Sequence, residues 1–244
     1  MARERNSKRG IAWAWIGAVI LAAGVIALII GALLNQPAST PTPSTSAEPS
    51  GSPSAAPTAD PGAVVDPDVT ERGWVPEPIT TDAGLYIQRA LEAASTFDTQ
   101  LSSREEWLAY LETWFTPDTR YASESDRAAA LEGFLLELRQ SVVLPETDWE
   151  SLSSEKGRVV AALTGEIEDV PVSEDTSGDM RIGTADVTLR YTRVDGDGAE
   201  YGYEDQVRVS VQVLCGDGSV PVPGSAQRPG DCKVVRFFTE PMEP

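Results

Sequence analysis

The sequence predicts an α+β domain in which helices precede a curved antiparallel sheet. Between residues 81 and 140 the apolar residues recur at helical spacing, whereas between residues 158 and 238 they alternate with polar ones, as along a half-buried strand. A turn signal, Asp195-Gly196-Asp197-Gly198, separates the two longest alternating runs. We therefore expect one domain over residues 74–244, with about three helices packed on a sheet of about four strands.

The chain begins with a basic stub and an apolar stretch. Residues 1–10 hold four basic residues and one glutamate, a net charge of +3, and residues 11–34 hold no charge. At about 1.5 Å per residue a helix of residues 11–34 is about 36 Å long, enough to cross a bilayer core of about 30 Å. The stretch therefore predicts a transmembrane helix in contact with the lipid bilayer. By the positive-inside rule its N-terminus lies in the cytoplasm and the C-terminal domain is extracytoplasmic.

A cleaved secretory signal is the alternative interpretation of this stretch. The apolar region of such a signal normally runs for only about 7–15 residues. In addition, Asn35-Gln36-Pro37 makes a poor cleavage site because it lacks small residues. Both observations favour a retained, single-pass anchor.

Glycines recur every seven residues within the apolar stretch, at Gly17, Gly24 and Gly31. This spacing places them near one face of a helix. Small residues allow membrane helices to approach closely, so this face is a candidate for homo-oligomer formation or for packing against another membrane helix. The alternative is that glycine and alanine are simply common in such helices.

Residues 35–73 predict a disordered linker. Proline, serine, threonine and alanine dominate most of the segment, and no apolar periodicity is present to form a core. A proline-rich chain rises about 3.1 Å per residue, so the linker reaches up to about 100 Å. It therefore serves as a spacer between the anchor and the domain.

Three helices are expected in the first half of the domain. They cover residues 81–98, the region after a capping box at Ser102-Ser103-Arg104-Glu105, and residues 125–140. The residues expected to face the core are Leu85, Ile87, Ala90, Leu91, Ala94 and Phe97 in the first helix, Trp107, Tyr110, Leu111, Trp114 and Phe115 in the second, and Leu131, Phe134, Leu135 and Leu138 in the third.

Four strands are expected in the second half of the domain. The apolar residues that define them are Val159, Ala161, Leu163 and Ile167 in the first strand, Val187, Leu189 and Tyr191 in the second, and Val207, Val209, Val211 and Val213 in the third. The fourth strand is Lys233–Phe238. Helices therefore cover one face of an antiparallel sheet.

The two cysteines of the chain, Cys215 and Cys232, bracket the connection between the last two predicted strands. In an exported protein, two cysteines at this spacing are expected to form a disulfide. Closing a loop of this size stabilises the folded state by roughly 3 kcal/mol. A redox-active pair is the alternative, but such pairs usually show the C-x-x-C spacing.

Charge and composition narrow the possible functions. The net charge is −19, and subtracting the +3 of the stub leaves −22 for residues 11–244. So acidic a chain is not expected to bind nucleic acid. The chain has no histidine, which excludes Ser-His-Asp and Cys-His catalysis and imidazole metal ligands. We predict no catalytic residue, metal or cofactor, and we interpret Asp195–Gly198 as a turn rather than a calcium loop.

The order of these elements resembles a known family. Three amphipathic helices with the phrase Trp107…Trp114-Phe115-Thr116-Pro117, followed by about four strands, look like the nuclear transport factor 2-like fold. Together with the stub, the membrane helix and the linker, they resemble the membrane-anchored assembly proteins of conjugation and type IV secretion, the VirB-eight and TcpC types. The resemblance implies a non-catalytic scaffold of a bacterial cell-envelope complex whose partners are other envelope proteins.

The same resemblance implies a cavity between the sheet and the helices. Its candidate lining residues are Trp107, Tyr110, Trp114 and Tyr191, although a place in the core is the favoured interpretation of aromatic residues at helical spacing. The cavity leaves two further hypotheses open. One is an anchored module that binds a small apolar or envelope ligand, and the other is an enzyme that uses a carboxylate and a tyrosine.

Overall fold

The described part of the molecule is residues 62–242 of a computed structural model. The predicted stub (1–10), transmembrane helix (11–34) and most of the predicted linker (35–61) lie outside the described residues. Within residues 62–242, no helix is both long and apolar enough to span a membrane.

The domain has the expected α+β architecture, with helices packed on a curled antiparallel sheet. Its helices are a 3-10 helix at Pro67–Arg72, α1 (Ala83–Ala93), α2 (Arg104–Glu112), α3 (Glu124–Glu137), a π-helical turn at Leu138–Val142, and α4 (Glu146–Ser154). Its strands are β1 (Phe97–Asp98), β2 (Arg158–Leu163), β3 (Glu168–Pro171), β4 (Met180–Val194), β5 (Glu200–Leu214) and β6 (Lys233–Phe237).

The sheet is centred on one long hairpin. The strand order is β1-β2-β4-β5-β6, and β3 also pairs with β4. Strands β4 and β5 pair along their whole length, from Met180 opposite Leu214 to Val194 opposite Glu200. By contrast, β6 pairs only with residues 211–214 of β5. The end of the hairpin nearest its turn therefore extends beyond β6.

The structure contains elements that the sequence prediction lacked. Helix α4 was not predicted because only Trp149 and Leu152 supply its apolar side, and both are buried. The predicted first helix, 81–98, is too long at both ends, since α1 ends at Ala93 and Phe97–Asp98 form β1 against β2. The short strands β1 and β3 are too brief to show an alternating pattern.

The capping box of α2 lies one residue later than predicted. The N–H of Glu106 donates to Ser103 Oγ (3.2 Å), and the N–H of Ser103 donates to Glu106 Oε2 (2.9 Å). Ser102 instead accepts a hydrogen bond from Trp74 Nε1 (2.9 Å) in the interior. The sequence does not distinguish Ser102 from Ser103 as the capping residue. The contact between Ser102 and Trp74 leaves Ser103 to cap the helix.

Helix α3 is less buried than predicted. Of its expected core residues only Leu138, in the π-helical turn, is fully buried, whereas Leu131, Phe134 and Leu135 are partly exposed. The helix is fixed to β6 by a two-pronged ion pair, in which Arg236 Nε and Nη2 donate to the Glu137 carboxylate (2.8 and 3.0 Å). A helix held at the margin of the sheet buries only part of its apolar face.

The folded domain begins before residue 74. Asp66 Oδ1 caps the 3-10 helix by accepting from Asp68 N–H (2.9 Å), and Pro67 starts it. Val69 is buried, and Gly73 ends the helix with φ of 75°. A Cβ at Gly73 would lie 2.8 Å from Asp98 Cβ, so the chain also needs glycine there for space. The end of the predicted linker therefore belongs to the domain.

Candidate functional site

An apolar cavity of about 290 Å³ lies between the sheet and the segment that follows α3. Strands β2, β4 and β5 form its floor, and residues 140–145 form its opposite side. The lining residues are Ala94, Ser95, Phe97, Gln140, Ser141, Val142, Val143, Leu144, Pro145, Val159, Leu189, Tyr191, Val207 and Val209. The cavity is large enough for a small ligand or for one or two side chains of a partner.

The alternation of the strands explains the cavity floor. Leu189 and Tyr191 are two residues apart on β4 and share a face, as do Val207 and Val209 on β5. The opposite side depends on the π-helical turn, because the extra residue in such a turn alters which side chains face inward. Val143, which follows the turn, is buried.

The lining is chemically suited to an uncharged group. Its polar side chains are Ser95, Gln140, Ser141 and Tyr191, and none of the residues that line it is acidic. Burial, followed by electrostatic repulsion from the neighbouring Tyr203, raises the pKa of Tyr191. The Tyr191 hydroxyl therefore stays protonated at neutral pH, where it is able to donate a hydrogen bond.

A cluster of three tyrosines and one arginine lies beside the cavity; we call Tyr191, Arg193, Tyr201 and Tyr203 the tyrosine patch. The rings of Tyr191 and Tyr203 stack with centroids 4.6 Å apart, and the Arg193 guanidinium lies 5.6 Å from the centroid of Tyr203. Tyr201 and Tyr203 are each 44% exposed. The patch therefore presents aromatic surface to solvent.

Helix α4 fixes the tyrosine patch through Glu155, which follows its last residue. Glu155 Oε2 accepts from Tyr201 Oη (2.8 Å) and from Arg193 Nη1 (3.0 Å). Both hydrogen bonds lower the pKa of Glu155, and the one from Tyr201 contributes more than the one from Arg193. Glu155 thus holds Tyr201 and Arg193 at the end of α4, and it is not among the residues that line the cavity.

The sequence contained a signal for this patch that the site prediction did not use. The register pairs Tyr191 with Tyr203, one residue away from the partner that a turn at Asp195–Gly198 alone gives, because Ala199 also lies in the loop. The alternating Tyr201-Gly202-Tyr203 then places two tyrosines on the same face near the end of the hairpin. The exposure of these rings depends on the packing of the other strands and was not readable from the sequence.

Of the predicted lining residues, the structure places Tyr191 in the cavity. Trp107 and Trp114 are buried in the core, where Trp107 contacts Phe97 and Trp149. Tyr110 donates to the carbonyl of Val75 (2.7 Å) and stacks on Trp74. The inner face of α2 therefore packs against β1, α4 and the N-terminal segment of the domain and does not line the cavity.

Cys215 and Cys232 form a disulfide between the end of β5 and the start of β6. The turn at Asp195 is closed by its own carboxylate, since Asp195 Oδ1 accepts from the N–H groups of Asp197 (3.0 Å) and Ala199 (2.8 Å). Across residues 62–242, no group of three acidic or cysteine side chains is placed to hold a metal ion. Gly17, Gly24 and Gly31 lie outside the described residues, and their role stays a prediction.

Three solved structures are similar to this chain. The first is an IcmL-like type IV secretion system protein from Legionella pneumophila (13% identity, 64% of this chain and 88% of the other, TM-score 0.37). The second is CagV, a VirB8 homolog of the type IV secretion system of Helicobacter pylori (14% identity, 55% and 78%, TM-score 0.30). The third is a periplasmic fragment of TraM (12% identity, 62% and 89%, TM-score 0.30).

These structures include proteins of the type that the sequence resemblance names. At TM-scores below 0.5 they assign neither a function nor a partner to this chain. No protein-family model and no curated protein matches the sequence.

Proposed function

We propose that the chain is a non-catalytic, membrane-anchored scaffold of a bacterial cell-envelope complex, of the kind used in conjugation and type IV secretion. The observation that carries this proposal is the exposed end of the β4–β5 hairpin. Residues 200–206 of β5 pair with β4 on one side, and no strand within residues 62–242 pairs with the other. An exposed strand edge beside an aromatic patch is a typical surface for binding another polypeptide.

The N-terminal sequence supports the membrane anchor. The uncharged stretch 11–34, the basic stub before it and the proline-rich segment after it favour a cytoplasmic N-terminus and an extracytoplasmic domain. In this arrangement the linker holds the exposed hairpin away from the lipid, where other envelope proteins reach it. The glycine face of Gly17, Gly24 and Gly31 supports self-association of the anchor, and leucine at all three positions should weaken it.

Photo-crosslinking from single positions in intact host cells tests the scaffold function. A photoreactive residue at Tyr203 is expected to capture a defined set of envelope proteins. The matched control is Glu132, which is exposed on α3, and it should not capture the same set. Deleting the gene should abolish transfer or secretion, and a chain without residues 11–34 should not restore it. Identical capture at both positions, or none from Tyr203, would contradict the proposal.

The apolar cavity supports a second candidate function, an anchored module that binds a small apolar or envelope ligand. Its lining of valine, leucine and phenylalanine side chains suits an acyl or aromatic group. Native mass spectrometry of the chain purified from its host membranes tests this function. A retained ligand that disappears in Val209→Trp, a variant expected to fill the cavity, would support it. A ligand-free wild-type protein would contradict it.

A further inference from the structure

The interior contains a charged cluster that the proposed scaffold function does not use. Glu77 and Lys233 are each 1% exposed, and Gln227 is 7% exposed. Glu77 Oε1 accepts from Lys233 Nζ (2.7 Å), from Tyr86 Oη (2.7 Å) and from Gln227 Nε2 (3.0 Å). Glu77 Oε2 is buried without a hydrogen-bond partner among the described residues. An amine and a carboxamide are therefore bound to one carboxyl oxygen in the interior of the domain.

The surroundings of Lys233 make its ammonium form less favourable than it is in water. Burial lowers the pKa of Lys233, and the charge of Glu77 only partly opposes this effect. In a medium of low polarity, transferring a proton from the ammonium to the carboxylate removes two buried charges. Such a transfer would give a neutral amine, which is a nucleophile, beside a carboxylic acid. Lys233 Nζ also donates to the carbonyl of Thr113 (2.7 Å), which fixes the position of the nitrogen.

The carboxamide of Gln227 is oriented by hydrogen bonds at both of its ends. Its Oε1 accepts from the backbone N–H of Val222 (2.9 Å), and its Nε2 donates to Glu77. A backbone N–H at the carbonyl oxygen stabilises the negative charge that forms there during nucleophilic attack. The nitrogen that would leave already contacts the group that would protonate it.

We propose that Lys233 and Gln227 form an intramolecular isopeptide bond, promoted by Glu77. Glu77 first takes a proton from the Lys233 ammonium, and the neutral Nζ attacks Gln227 Cδ. The Val222 N–H stabilises the oxyanion of the tetrahedral intermediate. Glu77 then donates its proton to Nε2, the Cδ–Nε2 bond breaks and ammonia leaves, and the regenerated carboxylate takes the second proton from Nζ, so that a neutral amide remains. One amide replaces another, so the step needs no oxidant, metal or cofactor.

The bond would secure the same region as the disulfide by different chemistry. Gln227 lies in the loop between Cys215 and Cys232, and Lys233 is the first residue of β6. Reduction would open the disulfide but would leave the amide intact. A crosslink in this region would therefore survive reducing conditions. This inference does not depend on the proposed scaffold function.

The mass of the purified full-length chain, measured after reduction and denaturation, tests the bond directly. We expect a mass lower than that of the sequence by one ammonia molecule. We also expect trypsin not to cleave after Lys233, because an amidated lysine is not a substrate. A folded wild-type chain with the unmodified mass and cleavage after Lys233 would overturn the inference.

Single substitutions identify the reacting groups. Gln227→Ala removes the electrophile but keeps the Glu77–Lys233 pair, so it should restore both the unmodified mass and cleavage after Lys233. The matched control is Gln88→Ala. Gln88 Nε2 also donates to a glutamate, Glu92 (3.0 Å), but that carboxylate binds Arg89 rather than a lysine. This variant should keep the loss of ammonia. Retention of that loss in Gln227→Ala would overturn the assignment to Gln227.

Glu77→Gln tests the promoting group. It should leave the chain unlinked, and circular dichroism and the intact disulfide report whether it folds. A folded Glu77→Gln chain that is fully linked would overturn the role of Glu77. Should this variant not fold, the wild-type mass and the Gln227→Ala variant still decide whether the bond exists.

Discussion

The two halves of the β4–β5 hairpin differ sharply although the same two strands form both. In the closed half, residues 180–187 with 207–214, the β5 residues Ser210–Leu214 are buried and β6 pairs beside them. In the open half, residues 188–194 with 200–206, every β5 residue is exposed. The closed half lies beside the disulfide and the Glu77 cluster, whereas the open half holds the tyrosine patch and adjoins the cavity.

The contacts that stabilise the fold therefore lie in the closed half, and the surface available for interaction lies in the open half. Buried apolar contacts, a covalent bond and a charged cluster are concentrated where β6 pairs with β5. The exposed strand edge and the aromatic surface are concentrated where β6 is absent. Since local stability follows buried contacts, we expect substitutions to cost much more in the closed half than in the open half.

The largest effect is expected from Trp114→Ala beside the closed half. Trp114 is 1% exposed and packs against Tyr86 and Tyr110, so its removal leaves a large cavity. The free energy of unfolding should fall by about 3–5 kcal/mol. Urea denaturation measures the loss, with Leu101→Ala as the exposed control, which should change it by less than about 0.5 kcal/mol. Equal losses of stability in Trp114→Ala and Leu101→Ala would contradict the expected importance of the buried contacts beside the closed half.

Replacing both cysteines with serine, Cys215→Ser and Cys232→Ser, should have the next largest effect on stability. The crosslink restricts the unfolded chain, and its loss should lower the free energy of unfolding by roughly 3 kcal/mol. Urea denaturation of the double variant measures this loss. A decrease below about 1 kcal/mol would mean that the loop is held by its other contacts, the Gln227 cluster among them.

Alkaline pH should weaken the closed half. Burial, and then the charge of Glu77, raises the pKa of Tyr86, so the folded chain keeps a proton that the unfolded chain loses near pH 10. The stability from this group is therefore complete below about pH 10 and is lost as the pH rises, by up to about 1.4 kcal/mol per pH unit. Urea denaturation between about pH 9 and 11 measures the slope. Tyr86→Phe should reduce it, and an unchanged slope would contradict this assignment.

Tyr203→Ala in the open half should have the smallest effect on stability. It removes one exposed cross-strand stack with Tyr191, which is worth less than about 1 kcal/mol. Thermal unfolding measures this change. At equal amounts of folded protein, Tyr203→Ala should nevertheless reduce the capture of envelope partners more than Trp114→Ala does. A loss of stability as large as that of Trp114→Ala would remove the distinction between the two halves.

The sequence predicted the parts of this fold whose signals are local. The apolar spacing of α1, α2 and α3 and the alternation along β2, β4, β5 and β6 are repeated patterns, and a helix or strand that buries one face must show them. Short elements such as β1 and β3 carry too few residues for a pattern. Helix α4 has too few apolar residues to show a stripe, and its burial depends on where Trp149 meets Phe97.

The candidate site was harder to predict for a related reason. Tyr191 belongs to an alternating strand whose inner face is readable, and it lines the cavity. Trp107 and Trp114 show the same helical spacing whether they face a cavity or fill a core, and tertiary packing places them in the core. Glu77, Gln227 and Lys233 are separated by as many as 156 residues, and no local pattern relates them.

The sequence by itself determined the class of the domain, the order of its main elements and the expectation of a membrane anchor, because composition and periodicity are properties of the chain alone. Only the tertiary structure decided which end of the hairpin is covered, which aromatic residues fill the core, and which amine meets which carboxamide. These outcomes depend on contacts between distant residues, and the geometry of such contacts exists only once the chain has folded.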